Sequence, residues 1–141
     1  MTHRAACAWA VVFIAPHVYW ATGGTAGLPG GEPLDGPIEA INYAAITFSA
    51  LAAVLALALA RPWGAAVPRR VLLVGAWAAC VLLALRGGGG LAQGLVAGGE
   101  WAREGSDALV VGFEALFLLG GILFGLAARE YSRSRPTGGN P

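Results

Sequence analysis

Apolar and polar residues do not alternate along this chain; the apolar ones run in four long blocks, at about residues 5–21, 38–60, 67–85 and 108–128. Each block can cross about 30 Å of hydrocarbon as a helix rising 1.5 Å per residue, the first and third with little to spare. The strict period of two that a membrane β-barrel needs is absent. Runs such as Leu51-Ala52-Ala53-Val54-Leu55-Ala56-Leu57 favour helix by propensity as well as by length. The pattern therefore predicts an all-α fold, a four-transmembrane-helix bundle in up-down-up-down order, forming one domain over residues 1–130. Residues 131–141 are expected to be a disordered tail.

The breaks between blocks fit this division. Residues 23–37 are rich in glycine and proline and cannot continue a helix, and Arg61-Pro62-Trp63-Gly64 with Pro68 marks a short turn. Gly87-Gly88-Gly89-Gly90 is expected to end the third helix. Residues 91–96 would then meet the membrane surface as an apolar turn or dip into it, and Ser106 or Asp107 would cap the fourth helix. The first block follows Arg4 as a signal peptide would, but its apolar character continues into Val18-Tyr19-Trp20. An interfacial aromatic pair fits a retained helix.

Charge sets the orientation. Arg4, Arg61, Arg69, Arg70, Arg129, Arg133 and Arg135 flank one side of the four blocks and leave Arg86 and Arg103 for the other. By the positive-inside rule both termini and the second connection are cytoplasmic, and the protein is expected as a multi-pass component of a bacterial plasma membrane. Composition agrees: 57% of residues are hydrophobic, 12% are charged and mean hydropathy is +0.65. A net charge of +1 argues against nucleic acid as a partner. The absence of lysine excludes Walker-type phosphate loops and Schiff-base catalysis. Cys7 and Cys80 lie in apolar runs and read as small packing residues. No metal-ligand spacing and no Gly-x-Ser-x-Gly occurs in the sequence, and Gly87-Gly88-Gly89-Gly90-Leu91-Ala92, which fits the degenerate dinucleotide-loop pattern, follows a membrane helix rather than a strand, so neither metal nor cofactor is expected.

Ionisable residues inside the blocks carry the candidate chemistry, because a charge at the centre of a membrane helix costs roughly 2.5–3.5 kcal/mol on insertion scales. Glu114 stands out, about 10 Å below the outer end of the fourth helix at 1.5 Å per residue. At similar depth lie His17 on the first helix, beside Pro16, and Glu39, Asn42 and Tyr43 at i, i+3 and i+4 on the second. Arg86 closes the third helix at that level, Tyr19 and Trp20 add aromatic rings, and Asp107 shares a face with Glu114 at i, i+7. The expected site joins His17, Glu39, Asn42, Arg86 and Glu114 in the outer half of the bundle. Set against it are plainer readings: His17 with Tyr19 and Trp20 as an interfacial anchor, Arg86 as a snorkelling residue, and Asn42 and Tyr43 as interhelical glue. Gly121-Ile122-Leu123-Phe124-Gly125 is a Gly-x-x-x-Gly element for close helix packing, either between the third and fourth helices, through Gly75 and Ala79, or in a homodimer through Gly121 and Gly125.

The run His17-Val18-Tyr19-Trp20-Ala21-Thr22-Gly23-Gly24, followed by Gly27-Leu28-Pro29, resembles a family of small four-helix bacterial membrane proteins known as a domain of unknown function. The likeness is end to end. Val81-Leu82-Leu83-Ala84-Leu85-Arg86-Gly87 resembles the family's arginine at the end of helix three, and Asp107 its acidic residue opening helix four. Val111-Gly112-Phe113-Glu114-Ala115 keeps a glutamate but lacks the proline that family members often carry there. The resemblance implies the architecture and a role for His17, Tyr19, Trp20, Arg86 and Asp107, without naming a reaction.

The leading expectation is an outward-opening intramembrane pocket for a lipid-like or otherwise apolar small molecule, with His17, Arg86 and Glu114 as its polar end and Tyr19, Trp20, Glu39, Asn42, Tyr43 and Asp107 around it. Its sharper form is an isomerase or cyclase in which Glu114 donates a proton and His17 accepts one. The alternatives are a non-catalytic helper subunit of a membrane complex and a proton-coupled small transporter. The latter would need a polar path through the apolar inner half.

Overall fold

The computed structural model describes residues 1–96 and 107–133. Four α-helices follow in chain order: α1 (Thr2–Ala21), α2 (Gly36–Ala60), α3 (Arg69–Val96) and α4 (Asp107–Arg133). Short 3-10 turns at Pro29–Gly31 and Pro62–Ala66 lie in the first two connections, and there is no strand among the described residues. Three helices are long and apolar enough to cross a membrane: α2, α3 and the Val111–Arg133 stretch of α4. The protein is on that basis a multi-pass membrane protein. α1 falls outside this set because Arg4, Pro16 and His17 dilute its apolar run within only 20 residues. It nevertheless runs beside the others from end to end: Thr2 Oγ1 donates to Glu130 at 2.7 Å at one end, and Asn42 Nδ2 donates to the His17 carbonyl at 2.9 Å near the other.

The helices associate as pairs. α3 lies along α4 and α1 along α2, α1 also packs on α4, and α2 barely touches α3. One apolar cluster joins Ala6, Trp9, Ala10 and Phe13 of α1 to Ala56 and Phe124. A second, nearer the chain termini, joins Ala58, Leu59, Leu72, Ala76, Ala127 and Ala128. Large apolar side chains that face outward, such as Ile41, Val74 and Ile122, have lipid rather than water as their natural surroundings. Small residues set the closest approach. A Cβ on Gly121 would sit 3.0 Å from the Cys80 carbonyl oxygen and 2.9 Å from the Ala84 nitrogen, and one on Gly125 would sit 2.9 Å from Cys80 Sγ. The Gly-x-x-x-Gly face is thus covered by α3 of the same chain. Gly75, expected to pack with it, faces Leu55 of α2 instead. Cys7 and Cys80 are both free thiols, half-buried beside the first cluster.

α3 departs most from expectation. It does not stop at residue 85: Gly87, Gly88, Gly89 and Gly90 continue the helix, and residues 91–96 form its last turns rather than an apolar surface turn. Glycine costs about 0.8–1 kcal/mol per position relative to alanine in a helix in water, but a backbone freed in hydrocarbon has no water to bond, so the helix persists. α4 likewise runs beyond residue 128. Its final carbonyls, on Tyr131 and Ser132, accept from Arg69 Nη2 at 3.0 and 2.7 Å, and the Arg69 guanidinium lies over the Tyr131 ring. A cation at a helix C-terminus both satisfies orphan carbonyls and opposes the helix dipole. Residues 131–133, expected in the tail, are therefore helical; 134–141, Ser106 and the 97–105 connection lie outside the described residues.

Candidate ligand-binding site

The centre of the site is an ion pair between α3 and α4. Arg86 Nη1 donates to Glu114 Oε1 at 2.5 Å and to Oε2 at 2.6 Å. The Glu114 side chain is 6% exposed and that of Arg86 55%, so the carboxylate is sealed between helices while the guanidinium stands at an open face. A carboxylate taken from water is tolerated only when paired, and this one is. Arg86 also lies 4.8 Å above the Phe117 ring, one turn beyond Glu114, a favourable place for a cation. The glycines make room: a Cβ on Gly90 would fall 2.2 Å from the Glu114 carboxyl carbon, and one on Gly87 would fall 2.5 Å from the Glu114 carbonyl oxygen and the Leu118 nitrogen. Gly88 and Gly89, by contrast, have nothing within 4 Å. The i, i+3 pair Gly87 and Gly90 is thus the seat of Glu114, a role the sequence reading did not assign.

His17 and Asn42 form a second group. The His17 ring is buried between Phe13 and Trp20, with ring centroids 4.8 and 5.3 Å away. Its Nδ1 lies 2.9 Å from the Phe13 carbonyl oxygen. Since a carbonyl only accepts, this fixes the proton on Nδ1. Asn42 is buried and reaches back to the His17 carbonyl. Glu39 and Tyr43 make no side-chain hydrogen bond among the described residues, and Tyr43 points outward. Asp107 opens α4, but its side chain lies outside the described ones. Tyr19 and Trp20 build the turn after α1 instead: the Tyr19 ring lies against Gly24, Trp20 Nε1 donates to the Ala26 carbonyl at 2.9 Å, and Gly23 takes a φ of 91°. That turn accounts physically for the Tyr-Trp-Ala-x-Gly-Gly part of the motif, because only glycine adopts such a φ readily or lets a phenol ring lie on the backbone.

A cavity of about 420 Å³ opens where α2 and α3 part. Trp9 and Phe13 of α1 floor it, Ala45, Phe48, Ser49, Ala52 and Leu55 form the α2 wall, and Gly75, Ala78, Ala79, Leu82 and Leu83 form the α3 wall. Arg86 and Phe117 also line it. Ser49 and Arg86 supply the polar side chains of this lining. His17 and Glu114 are not part of it, so the polar end expected from three residues is built by Arg86 alone, with Glu114 behind it. The floor is held in place by Trp9, whose Nε1 donates to the Leu116 carbonyl at 2.9 Å. The indole is admitted there by Gly120, where a Cβ would meet it at 2.3 Å. Trp9, Phe13, Phe117 and Phe124 interlock at centroid distances of 4.9 to 6.3 Å, which makes this floor a rigid aromatic surface.

Arg86 can donate hydrogen bonds into an apolar space; the proton donor and acceptor of an acid–base step do not face that space together. Both Glu114 oxygens are engaged by Nη1, while among the described residues Arg86 Nε and Nη2 have no partner. The family model described as Protein of unknown function (DUF3995) matches residues 10–124, a span that takes in the ion pair and every cavity-lining residue except Trp9. No curated protein and no solved structure matches the chain.

Proposed function

The chain belongs to the DUF3995 family, whose description assigns no activity, and we propose that this protein binds a lipid-like or otherwise apolar small molecule in the cavity between α1, α2 and α3. One observation carries the reading: an apolar hollow inside a membrane bundle ends at a guanidinium whose Nε and Nη2 donors are taken up by none of the described residues. Its volume falls within the about 300–1,000 Å³ typical of small-molecule sites, and its makeup follows the same rule of many apolar walls and few polar groups. A dry void of that size would forfeit dispersion contacts along every wall, so an occupant is favoured. Entry is sideways from the bilayer, through the gap where α2 and α3 scarcely meet. The arginine distribution supports cytoplasmic chain termini, and the resemblance to small bacterial membrane proteins supports a bacterial plasma membrane as its location.

The other readings fit less well. An isomerase or cyclase acting through Glu114 and His17 would require a rearrangement that frees the carboxylate from Arg86. A helper subunit or homodimer docking through Gly121 and Gly125 would have to displace α3. A proton path would have to pass Ser49 and then the apolar second cluster.

The test is to fill the hollow. Ala52→Phe and Ala78→Phe place a ring in it from opposite walls, Ala78 from an exposed position and Ala52 from a half-buried one beside the first apolar cluster, so a response lost in both is due to the filled hollow and not to disturbed core packing at Ala52. Methyl laurate, a single-chain apolar ester, is expected to raise the unfolding temperature of the wild-type protein by several degrees near 100 times its Kd, about 2.7 kcal/mol of linkage. Neither variant should respond. Equal responses in all three proteins would show that the ester acts on the bilayer or on another face, and would rule out this cavity.

A further inference from the structure

The charge arrangement around Arg86 goes further than binding and, resting on the reading above, points to the class of ligand. An exposed arginine in an apolar cavity ordinarily marks a site for a carboxylate or phosphate, since its fork of donors matches those groups. Here the fork already has its anion. Glu114 holds Nη1 through both carboxylate oxygens, from a position sealed behind the cavity wall, and Gly90 leaves just enough space for that carboxyl group. The pair is electrically neutral as seen from the cavity. An incoming anion would gain the attraction of the guanidinium but meet the repulsion of a buried carboxylate within about 6 Å, a range at which like charges disfavour one another strongly. It would also lose its hydration on entering walls that are otherwise apolar, and the site would then carry a net charge of −1 with no second cation in the lining to balance it.

A neutral acceptor faces none of these penalties. A carbonyl, ester or ether oxygen takes a charge-assisted hydrogen bond from Nε or Nη2, leaves the pair intact and keeps the cavity uncharged. The Ser49 hydroxyl, the other polar group on the wall, can likewise serve an uncharged oxygen. We infer that the cavity selects uncharged amphiphiles bearing a carbonyl, ester or ether oxygen at one end of an apolar body, and that Glu114 is the residue that turns anionic ones away. Glu114 acts by holding and neutralising Arg86, without touching the ligand.

Competition between a neutral ester and its acid tests this on the whole protein in phosphatidylcholine nanodiscs. At about pH 9 laurate is ionised, its carboxyl group having an ordinary pKa near 4–5, and methyl laurate is not. With affinities expressed per mole of probe in the bilayer, methyl laurate is expected to bind the wild-type protein at least ten-fold more tightly than laurate. Glu114→Gln leaves a shape-matched neutral amide and an unbalanced Arg86, and laurate is then expected to bind at least as tightly as the ester. Glu114→Asp retains the charge and should restore the preference for the ester. Should neither carboxyl variant fold, the wild-type comparison alone decides: laurate binding as well as or better than methyl laurate overturns the selectivity. If both probes bind the wild-type protein equally and Ala52→Phe removes both, the cavity stands and the charge argument falls. If neither probe distinguishes the wild-type protein from Ala52→Phe, binding in this cavity falls with it.

Discussion

Replacing Arg86 with alanine is expected to destabilise the folded protein by about 3–5 kcal/mol, the range found when one partner of a buried pair is removed and the other charge is left behind. The loss would come from Glu114, sealed between α3 and α4 with no other described cation to turn to. Because the arginine itself stands half-open, its own departure should cost little; the stranded carboxylate supplies the effect. Replacing both residues by leucine should therefore recover most of what Arg86→Ala loses, and a double-mutant cycle followed by denaturant titration should give a coupling well above the about 0.5 kcal/mol scatter of independent sites. If Arg86 merely snorkels toward headgroups, Arg86→Ala would fall within about 0.5 kcal/mol of wild type, as surface changes do.

The second large effect lies in the four glycines, where neighbouring residues should respond with opposite signs. Gly87→Ala would place a methyl group 2.5 Å from the Glu114 carbonyl oxygen and the Leu118 nitrogen. Both are backbone atoms of α4 and cannot swing aside, so the helices must part. Overpacking of this kind costs about 1–3 kcal/mol, and here it would also loosen the Arg86–Glu114 bonds. Gly88→Ala and Gly89→Ala meet nothing within 4 Å and should each stabilise α3 by up to about 0.8–1 kcal/mol through helix propensity. Thermal unfolding of the three single variants, read side by side, checks this. Destabilisation by all three would instead mean that the segment needs flexibility rather than a close approach.

The same glycines show where sequence reasoning lost its hold. Breaking a helix at Gly87-Gly88-Gly89-Gly90 follows a rule learned in water, where a freed backbone group can bond solvent; between apolar runs, with no asparagine, aspartate or proline to form a turn, that rule does not transfer. The apolar blocks themselves were legible because span length is set by bilayer thickness, and the helices follow them closely in α2 and at the start of α4. Depth was legible too. Counting along helices put Arg86 and Glu114 on one level, and the cost of a lone buried charge argued that they meet.

What depth does not give is direction around the helix axis. Asn42 and Tyr43 are adjacent and so about 100° apart, and only one of them can face α1; it is Asn42 that reaches the His17 carbonyl while Tyr43 turns out. His17 likewise faces Phe13 and Trp20, so the expected cluster of five separates into an Arg86–Glu114 pair and a His17–Asn42 pair, with Glu39 bonded to neither. Ser49 was passed over for a different reason. A single hydroxyl in an apolar helix carries little signal until a cavity is seen beside it. The small residues Ala45, Ala52, Gly75, Ala78 and Ala79 that leave the hollow read, in sequence, like any helix-packing surface.

The most direct measurement is of what the protein already carries. Wild-type protein and Ala52→Phe, purified side by side in the same detergent, would be extracted with organic solvent and the extracts compared by mass spectrometry. An uncharged apolar species approaching one molecule per wild-type chain, and absent from Ala52→Phe, is the predicted result. Identical extracts from the two proteins would contradict the account, because a filled hollow would then hold no less than an open one.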